Sequence, residues 1–230
     1  MSSSEVVAVV LAAGAGSRFD DIGHKLLARI PATADRPAET VSARAIGAAV
    51  ESGIGQVVVV TGRLGADELG STLDATLDTT LDAAAGASGD PSGEGRARVR
   101  WVHNPDWSSG QMTSVLAGLD AADDAGATVA VIGLADQPGV AASAWRSVAD
   151  SSVTGSAIAV ATYDGRRGNP VALRREVWGL LGTTGDHGAR ALMQVRPDLV
   201  VEVPCSGSPT DIDTAEDLRR WQSSSSTNSP

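Results

Sequence analysis

The stretch VVAVVLAAGAGSR, from Val6 to Arg18, decides the fold of this chain. Its first half is an apolar run without polar alternation, which is typical of a strand buried on both faces of a parallel sheet. The glycines of its second half, Gly14 and Gly16, allow the backbone to approach a ligand closely and offer N–H groups to phosphate oxygens. The stretch therefore predicts a buried strand followed by a ligand-binding loop. A purely structural strand-to-helix turn is the alternative, because an isolated Gly-x-Gly occurs in both.

Further runs rich in Val and Ile alternate with segments of helical character along the rest of the chain. The predicted later strands cover residues 57–61, 98–102, 129–134, 157–162, 170–173 and 199–203. The predicted helices cover about residues 40–52, 112–125, 139–150, 187–195 and 214–222. A Gly-Asn-Pro turn at residues 168–170 is predicted to precede the strand that follows it. The alternation indicates an α/β protein with a largely parallel sheet covered on both faces.

The composition excludes several classes of protein. Of the 230 residues, 42% are hydrophobic, which is enough for a buried core. The net charge of -10 disfavours a nucleic-acid partner, whose phosphates need a basic surface. Cys205 is the only cysteine, so a disulfide within the chain and a cysteine-based zinc site are excluded. Because no run approaches the roughly 20 apolar residues that cross a bilayer, we expect a cytoplasmic protein with no membrane partner.

Residues 1–221 are predicted to form a single domain without internal repeats. Within it, residues 70–96 are rich in Gly, Ala, Asp, Ser and Thr, so we predict a flexible insertion there, with a short helix around residues 68–81. The tail at residues 222–230 is low in complexity and is predicted to be disordered.

The residues around the first loop bear on the kind of nucleotide that it could bind. Arg18 and Lys25 could add positive charge against a triphosphate. A dinucleotide-binding Rossmann loop would need a third glycine where Phe19 stands, and an acidic residue at the end of the second strand. That strand ends instead in Thr61-Gly62-Arg63, and no Walker-type loop is present. A dinucleotide site is therefore disfavoured.

Two acidic positions after apolar runs are candidates for a metal site. Asp136 follows a predicted strand, where a carboxylate could hold Mg²⁺ against nucleotide phosphates, although an Asp in such a turn is more often a cap or turn residue. Thr214 and Asp217 form a capping box for the last helix, which leaves Asp211 and Asp213 without a structural explanation. Asp213 could be the second metal ligand. Two distant acids on one Mg²⁺ suit phosphoryl chemistry, because the ion neutralises charge and orients the α-phosphate.

Two further loops are candidates for ligand contacts. The loop Ser108-Ser109-Gly110 opens a predicted helix and could offer N–H donors and hydroxyls to a ligand. Downstream, Asp186 lies near a predicted helix start, and Arg190 lies one turn into that helix. The histidines are too far apart in sequence to indicate a metal cluster.

Six stretches in order resemble the MobA-like nucleotidyltransferase family over roughly residues 5–221. They are LAAGAGSR with Lys25 beyond it, HNPDWSSGQMTSV, ADQP, GNPVAL, GDHGAR and DIDTAEDL. Within that family the sequence is most similar to the molybdenum cofactor cytidylyltransferases. The HNPD…G…TSV stretch, the GxP tripeptide and the LAAG start, in place of LAGG, favour that branch.

The resemblance implies a fold and a reaction. The fold is a Rossmann-like three-layer α/β/α sandwich of the nucleotide-diphospho-sugar transferase type, with a mainly parallel sheet of about seven strands. The reaction is Mg²⁺-dependent transfer of CMP from CTP to the pterin-phosphate of the molybdenum cofactor, with release of pyrophosphate. A molybdenum hydroxylase or its chaperone is an implied partner. Guanylyl transfer to the same pterin, nucleotidyl transfer to another phosphate acceptor and a non-catalytic nucleotide- or pterin-binding carrier stay open as alternatives.

The resemblance also implies roles for individual residues. The implied catalytic residues are Arg18, Lys25 and Asp136, and the implied metal ligands are Asp136 and Asp213. The implied nucleotide-binding residues are Leu11, Ala12, Ala13, Gly14, Ala15, Gly16, Arg18, Lys25, Thr61, Gly110 and Ser114. The implied acceptor-binding residues are Ser109, Asn169, Pro170, Asp186 and Arg190.

The chain departs from the family pattern in the loop after the first strand. Asp20 stands where a glycine is usual, so an acidic pair, Asp20-Asp21, follows Arg18, and the spacing from Arg18 to Lys25 is longer than usual. Asn169 stands where relatives commonly have a histidine. These departures bear on the role of Lys25 and on substrate preference.

Overall fold

A seven-stranded sheet forms the centre of the computed structural model, which describes residues 6–16, 23–32, 36–73, 99–182 and 188–227. The strands are β1 (Val6–Ala12), β2 (Arg29–Ile30), β3 (Glu39–Thr40), β4 (Gln56–Thr61), β5 (Val99–His103), β6 (Val129–Leu134), β7 (Ile158–Tyr163), β8 (Arg166–Arg174) and β9 (Val200–Pro204). The helices are α1 (Val41–Glu51), α2 (66–73), α3 (Gln111–Asp124), α4 (Ala142–Val153), α5 (Arg175–Trp178), α6 (Gly188–Val195) and α7 (Ala215–Thr227).

The order of the strands confirms the predicted mainly parallel sheet. In space the order is β5-β4-β1-β6-β8-β7-β9, while β2 and β3 form a separate small antiparallel sheet. Within the large sheet, β8 runs antiparallel to both of its neighbours, and the other pairs are parallel. The first strand lies near the centre and is buried along its whole length, as its apolar run predicts.

Helices cover both faces of the sheet, which confirms the three-layer α/β/α fold. Successive side chains of a strand point to opposite faces, so β1 contributes apolar residues to both sides of the sheet. On one face, Val6 and Val10 pack in a core with Ile46 of α1 and Trp145 of α4. On the opposite face, the intervening residues of β1 pack with side chains of α3, α5 and α6.

The segment around residues 168–170 is a strand with a bulge, and the turn predicted there is wrong. The hairpin between β7 and β8 turns at Asp164 and Gly165, whose φ angles of 50° and 76° are those of a tight hairpin turn. The register then shifts, because Val160 pairs with Val171 while Ala161 pairs with Gly168. The two residues between them, 169 and 170, are left out of the ladder. Since proline has no N–H to donate, a bulge is where it is tolerated.

The ends of two predicted segments differ from expectation. The last helix, α7, continues to Thr227, so residues 222–227 are helical, whereas the sequence predicts a disordered tail from residue 222. Ser223 fits the helix because its hydroxyl donates to the Arg219 carbonyl oxygen at 2.9 Å. Of the segment 70–96, the structure describes only residues 70–73, which are helical; residues 74–96 and 228–230 lie outside the described residues. No helix in the described part of the chain is long and apolar enough to span a membrane.

Candidate active site

The backbone brings Asp136 and Asp213 together at the carboxyl edge of the sheet. Asp136 follows β6, and its carbonyl oxygen accepts a hydrogen bond from the Ile212 N–H at 2.9 Å. The two segments are in close contact further along as well, since a Cβ at Gly207 would lie 2.6 Å from the Gly139 carbonyl oxygen. Glycine is therefore required for this approach, and the approach explains how two acids distant in sequence converge.

The side chain of Lys25 bridges the two carboxylates. Its Nζ donates to Asp136 Oδ2 at 2.6 Å and to Asp213 Oδ1 at 2.7 Å. The three side chains differ in exposure, with 14% for Lys25, 19% for Asp136 and 39% for Asp213. Burial opposes the charge of Lys25, but the attraction of Asp136 and then of Asp213 outweighs burial and raises the pKa of the amino group. Lys25 is therefore a cation at neutral pH.

The two carboxylates suit a hard divalent cation. Asp136 Oδ1 is buried and has no hydrogen-bond partner among the described residues, so one carboxylate oxygen is left for another positive group. No cluster of three or more His, Cys, Asp or Glu side chains with metal-binding geometry occurs in the ranges that the structure describes. Mg²⁺ and similar ions are commonly held by one or two carboxylates together with substrate phosphates. The residues present fit that pattern.

A cavity of about 310 Å³, here called the loop cavity, lies beside Lys25 and Asp136. The residues predicted to bind nucleotide that line it are Leu11, Ala12, Ala13, Gly14, Ala15, Lys25, Gly110 and Ser114. Lining residues that were not among the predicted site residues are Leu26, Trp107, Ser108, Gln111 and Leu134. The walls therefore consist largely of the small residues that follow β1 and of the segment that leads into α3.

Local contacts explain how the α3 side of the loop cavity is built. Gly110 precedes α3 with a φ of 119°, a conformation that favours glycine, and it turns the chain into the helix beside the cavity. Ser114 is buried, and its hydroxyl accepts a hydrogen bond from Asn104 Nδ2 at 3.0 Å. Trp107 packs against Gly62, where a Cβ would lie 2.7 Å from the indole Cγ. Glycine at position 62 is thus what admits the Trp107 ring, a contact that the sequence alone did not indicate.

A second cavity of about 430 Å³, here called the strand cavity, adjoins the loop cavity. The two cavities share the lining residues Leu11, Gln111 and Leu134. Of the residues predicted to bind the acceptor, Asn169 and Arg190 line the strand cavity. The remaining lining residues are Val115, Ile132, Gln137, Val160, Arg167, Gly168, Val171, Ala189, Met193, Pro209 and Asp211.

Several predicted site residues do not line either cavity. Thr61 is buried, and its hydroxyl donates to the Val102 carbonyl oxygen at 3.4 Å. Gly16 packs against the ring of His24, Ser109 is exposed in a 3₁₀ turn, and Pro170 is buried in β8. Arg18 and Asp186, like Asp20 and Asp21, lie outside the described residues.

A chain of side-chain hydrogen bonds forms part of the lining of the strand cavity. Gln137, only 5% exposed, donates from Nε2 to Asp211 Oδ1 at 2.7 Å and to the Pro209 carbonyl oxygen at 3.0 Å. Its Oε1 accepts from Asn169 Nδ2 at 3.2 Å. Burial, together with repulsion from Asp136, raises the pKa of Asp211 above its usual range. Gln137 was not among the predicted site residues, although it directly follows Asp136 in the ADQP stretch.

The arrangement suits the joining of two substrates, one of them a polyphosphate. Backbone N–H groups, the Lys25 ammonium and a pair of carboxylates at the loop cavity could hold phosphates and a divalent cation. The strand cavity could hold a second molecule within reach of the same carboxylates, since the two cavities share a wall.

Comparison with known proteins finds a family and relatives for this chain. A family model described as the MobA-like NTP transferase domain matches residues 8–201. A relative, nicotine blue oxidoreductase from Paenarthrobacter nicotinovorans, is 34% identical over 131 residues. That match covers 53% of this chain and spans only 63% of the length of the relative.

Solved structures share the fold over nearly the whole chain. A nucleotidyl transferase from Methanothermobacter is similar with a TM-score of 0.69 and 23% identity, over 97% of this chain and 99% of that one. The protein Rv0371c from Mycobacterium tuberculosis H37Rv is similar with a TM-score of 0.65 and 25% identity, over 96% and 100%. A structure of Rv0371c in complex with manganese has a TM-score of 0.59 and 24% identity, over 96% and 99%.

Proposed function

Since the chain belongs to the MobA-like NTP transferase family, we propose that it transfers CMP from CTP to the pterin-phosphate of the molybdenum cofactor and releases pyrophosphate. One observation carries the proposal: the loop cavity and the strand cavity share a wall beside Asp136, so a nucleotide and an acceptor could meet there. The choice of CTP and of the pterin rests on the motifs that resemble the cytidylyltransferase branch.

In this proposal the loop cavity binds the nucleotide. Residues 13–15, just after β1, offer backbone N–H groups to the phosphates, and the N-terminus of α3 at Gly110 presents the positive end of a helix dipole to the same space. Lys25 neutralises phosphate charge. Because its pKa is raised, Lys25 acts as a fixed cation and not as a base.

Asp136 and Asp213 would hold Mg²⁺ in the same site. When bound, the ion neutralises charge on the phosphate oxygens and favours attack at the α-phosphorus. The buried oxygen of Asp136 that lacks a partner among the described residues supports this role. The manganese complex of Rv0371c supports a divalent ion in a protein of the same fold.

The transfer itself needs no covalent bond to the protein. An oxygen of the acceptor's terminal phosphate attacks the α-phosphorus of CTP, a new P–O bond forms, and the bond to the β-phosphate bridging oxygen breaks to release pyrophosphate. The chain contributes by holding both substrates in line and by neutralising the charge that develops on the leaving group. Lys25 beside the triphosphate meets the second requirement.

The test is pyrophosphate release by the purified protein with Mg²⁺, molybdenum cofactor and each of the four nucleoside triphosphates in turn. We expect release with CTP, and none without the acceptor. Release with GTP instead would indicate guanylyl transfer. Absence of release with all four would contradict the proposal and favour another acceptor or a carrier without catalytic activity.

A second candidate is an oxidoreductase, which the 34% identity to nicotine blue oxidoreductase favours. The loop after β1 lacks the third glycine of a dinucleotide fingerprint, because Phe19 stands in its place. Incubation with reduced nicotinamide dinucleotides and nicotine blue distinguishes the two candidates. Consumption of the reduced cofactor without pyrophosphate release would replace the proposed transfer by this activity.

A further inference from the structure

The bulge in β8 determines where Asn169 lies. Because β8 is antiparallel to its neighbours, its first residues lie at the edge where the parallel strands end. The ladder between β7 and β8 omits residues 169 and 170, and bulges of this kind redirect side chains next to binding sites. Asn169 lines the strand cavity as a result.

The orientation of the Gln137 carboxamide is fixed by the groups around it. Its Nε2 lies 3.0 Å from the Pro209 carbonyl oxygen and 2.7 Å from Asp211 Oδ1. A carbonyl oxygen can only accept a hydrogen bond, so the amino end of Gln137 must face it. The amide oxygen of Gln137 must therefore face Asn169.

The orientation of Gln137 fixes that of Asn169 in turn. Gln137 Oε1 can only accept, so Asn169 must present Nδ2 to it, as it does at 3.2 Å. In the described part of the chain, Asn169 Oδ1 has no hydrogen-bond partner. The group that Asn169 has left for a ligand is thus an acceptor oxygen, accompanied by the second N–H of the same amide.

We propose that Gln137 is a positioning residue that fixes the Asn169 carboxamide, so that the strand cavity selects an acceptor with an N–H donor at the edge of its ring system. The inference rests on the proposed function, because the amino and lactam N–H groups of a pterin form such an edge. A heterocycle whose edge carries only acceptor atoms would face Asn169 Oδ1 unfavourably. The apolar walls at Val115, Ile132 and Met193 suit the faces of a planar ring.

A pair of small ligands tests this without nucleotide, metal or catalysis. Pterin carries N–H donors on its pyrimidine ring, whereas 1,3-dimethyllumazine has the same bicyclic skeleton with those donors removed. Equilibrium binding of each to the full-length protein is measured by the intrinsic fluorescence of the ligand. We expect pterin to bind about tenfold more tightly, because the dimethyl compound leaves a polar group of the site unpaired. Equal binding, or binding of neither ligand, would overturn the inference.

Variants distinguish a positioning role of Gln137 from a purely structural role. In Gln137→Met the Asn169 amide is free to rotate and to turn its amino group, in place of Oδ1, toward the dimethyl compound, so we expect the preference to fall to within about threefold. Asp211→Asn keeps an acceptor oxygen for Gln137, and we expect it to retain the tenfold preference. A purely structural role of Gln137 would weaken both ligands alike and leave their ratio unchanged, which would contradict positioning.

The outcome is independent of whether CMP is transferred. Pyrophosphate release from CTP tests the proposed reaction, and the ratio of the two binding constants tests the selectivity of the cavity. If the protein discriminates between the two ligands but releases no pyrophosphate, the inference about Asn169 stands and the proposed transfer of CMP is contradicted. If it releases pyrophosphate but does not discriminate between the ligands, the proposed reaction stands and its acceptor is not recognised through Asn169.

Discussion

The loop cavity and the strand cavity are built from different parts of the chain. In the loop cavity, the wall after β1 consists of alanines and glycine and therefore exposes mainly backbone, and Lys25 and Asp136 supply charge. The strand cavity is formed by side chains from α3, β6, β7, β8, α6 and the segment before α7. Substitution changes side chains but leaves backbone groups in place, so a wall of backbone is harder to alter than a wall of side chains. The first suits a common substrate and the second a particular one.

The largest effect is expected where the two cavities meet. Asp136→Asn should lower turnover by about 10³-fold or more, because it removes the most buried charge that could hold a metal beside the phosphates. The matched variant Asp213→Asn should cost less, since that side chain is 39% exposed and water can replace it. Rates of pyrophosphate release and far-ultraviolet circular dichroism together measure this. Equal losses in the two variants would show that the carboxylates share the role evenly.

Lys25→Met should have the next largest effect. It leaves Asp136 and Asp213 facing each other without the cation between them, so we expect a lower melting temperature and a loss of turnover of about 10²-fold. Added Mn²⁺ should raise the melting temperature of Lys25→Met more than that of the unmodified protein, because the ion no longer competes with an ammonium. A smaller rise in the variant would mean that the carboxylates do not bind the metal.

A matched pair of alanine variants tests the contrast between backbone and side chains. A Cβ at Gly14 would meet nothing within 4 Å, so Gly14→Ala keeps its N–H and should change KM for CTP by less than about threefold. Asn169→Ala should raise KM for the acceptor by about tenfold while leaving KM for CTP unchanged, because it removes a hydrogen-bonding group from the strand cavity alone. A change mainly in KM for CTP on Asn169→Ala would contradict the assignment of the nucleotide and the acceptor to separate cavities.

The smallest effect is expected at Asp211, on stability. Burial and the charge of Asp136 raise its pKa, so the folded state binds its proton more tightly than the unfolded state does. Ionisation of Asp211 therefore lowers the free energy of unfolding. The loss begins as pH rises past about 4, the pKa in the unfolded state, and is complete above the raised pKa of the folded state. Asp211→Asn should melt at a slightly higher temperature than the unmodified protein at pH 7, and the difference should vanish below about pH 4. A difference that persists in acid would have another cause than ionisation.

The same contrast explains what could be predicted from the sequence. One wall of the loop cavity comes from the consecutive residues 11–15, so the stretch LAAGA indicated that wall directly, and the aspartate after β6 indicated another. The strand cavity is assembled from residues such as Gln137, Asn169 and Met193, which are far apart in sequence and ordinary in type. Asn169 was found only through its motif, and its orientation depends on a bulge that a period-two pattern does not reveal.

Small irregularities account for the remaining differences. A strand over residues 170–173 was predicted because only that part is continuously apolar. The observed strand, β8, begins at Arg166, and its first residues are held in the sheet by pairing with β7 and not by apolar burial. The serines that suggested a disordered tail continue α7 to Thr227, since packing of the preceding turns outweighs their weak intrinsic preference. Tertiary contacts decide both cases, and no local pattern reports them.

The reversed direction of β8 gives the fold a place where new sequence can be added. The turn at Asp164 and Gly165 joins two strands at the same edge as the strand cavity, and it lies outside the paired core of the sheet. Insertions in such hairpin turns are tolerated because they disturb few buried contacts. A longer hairpin could therefore reach over the cavity mouth and alter which molecules enter, while the loop after β1 stays as it is. For protein engineers, this turn is the natural position for a grafted segment or a reporter group.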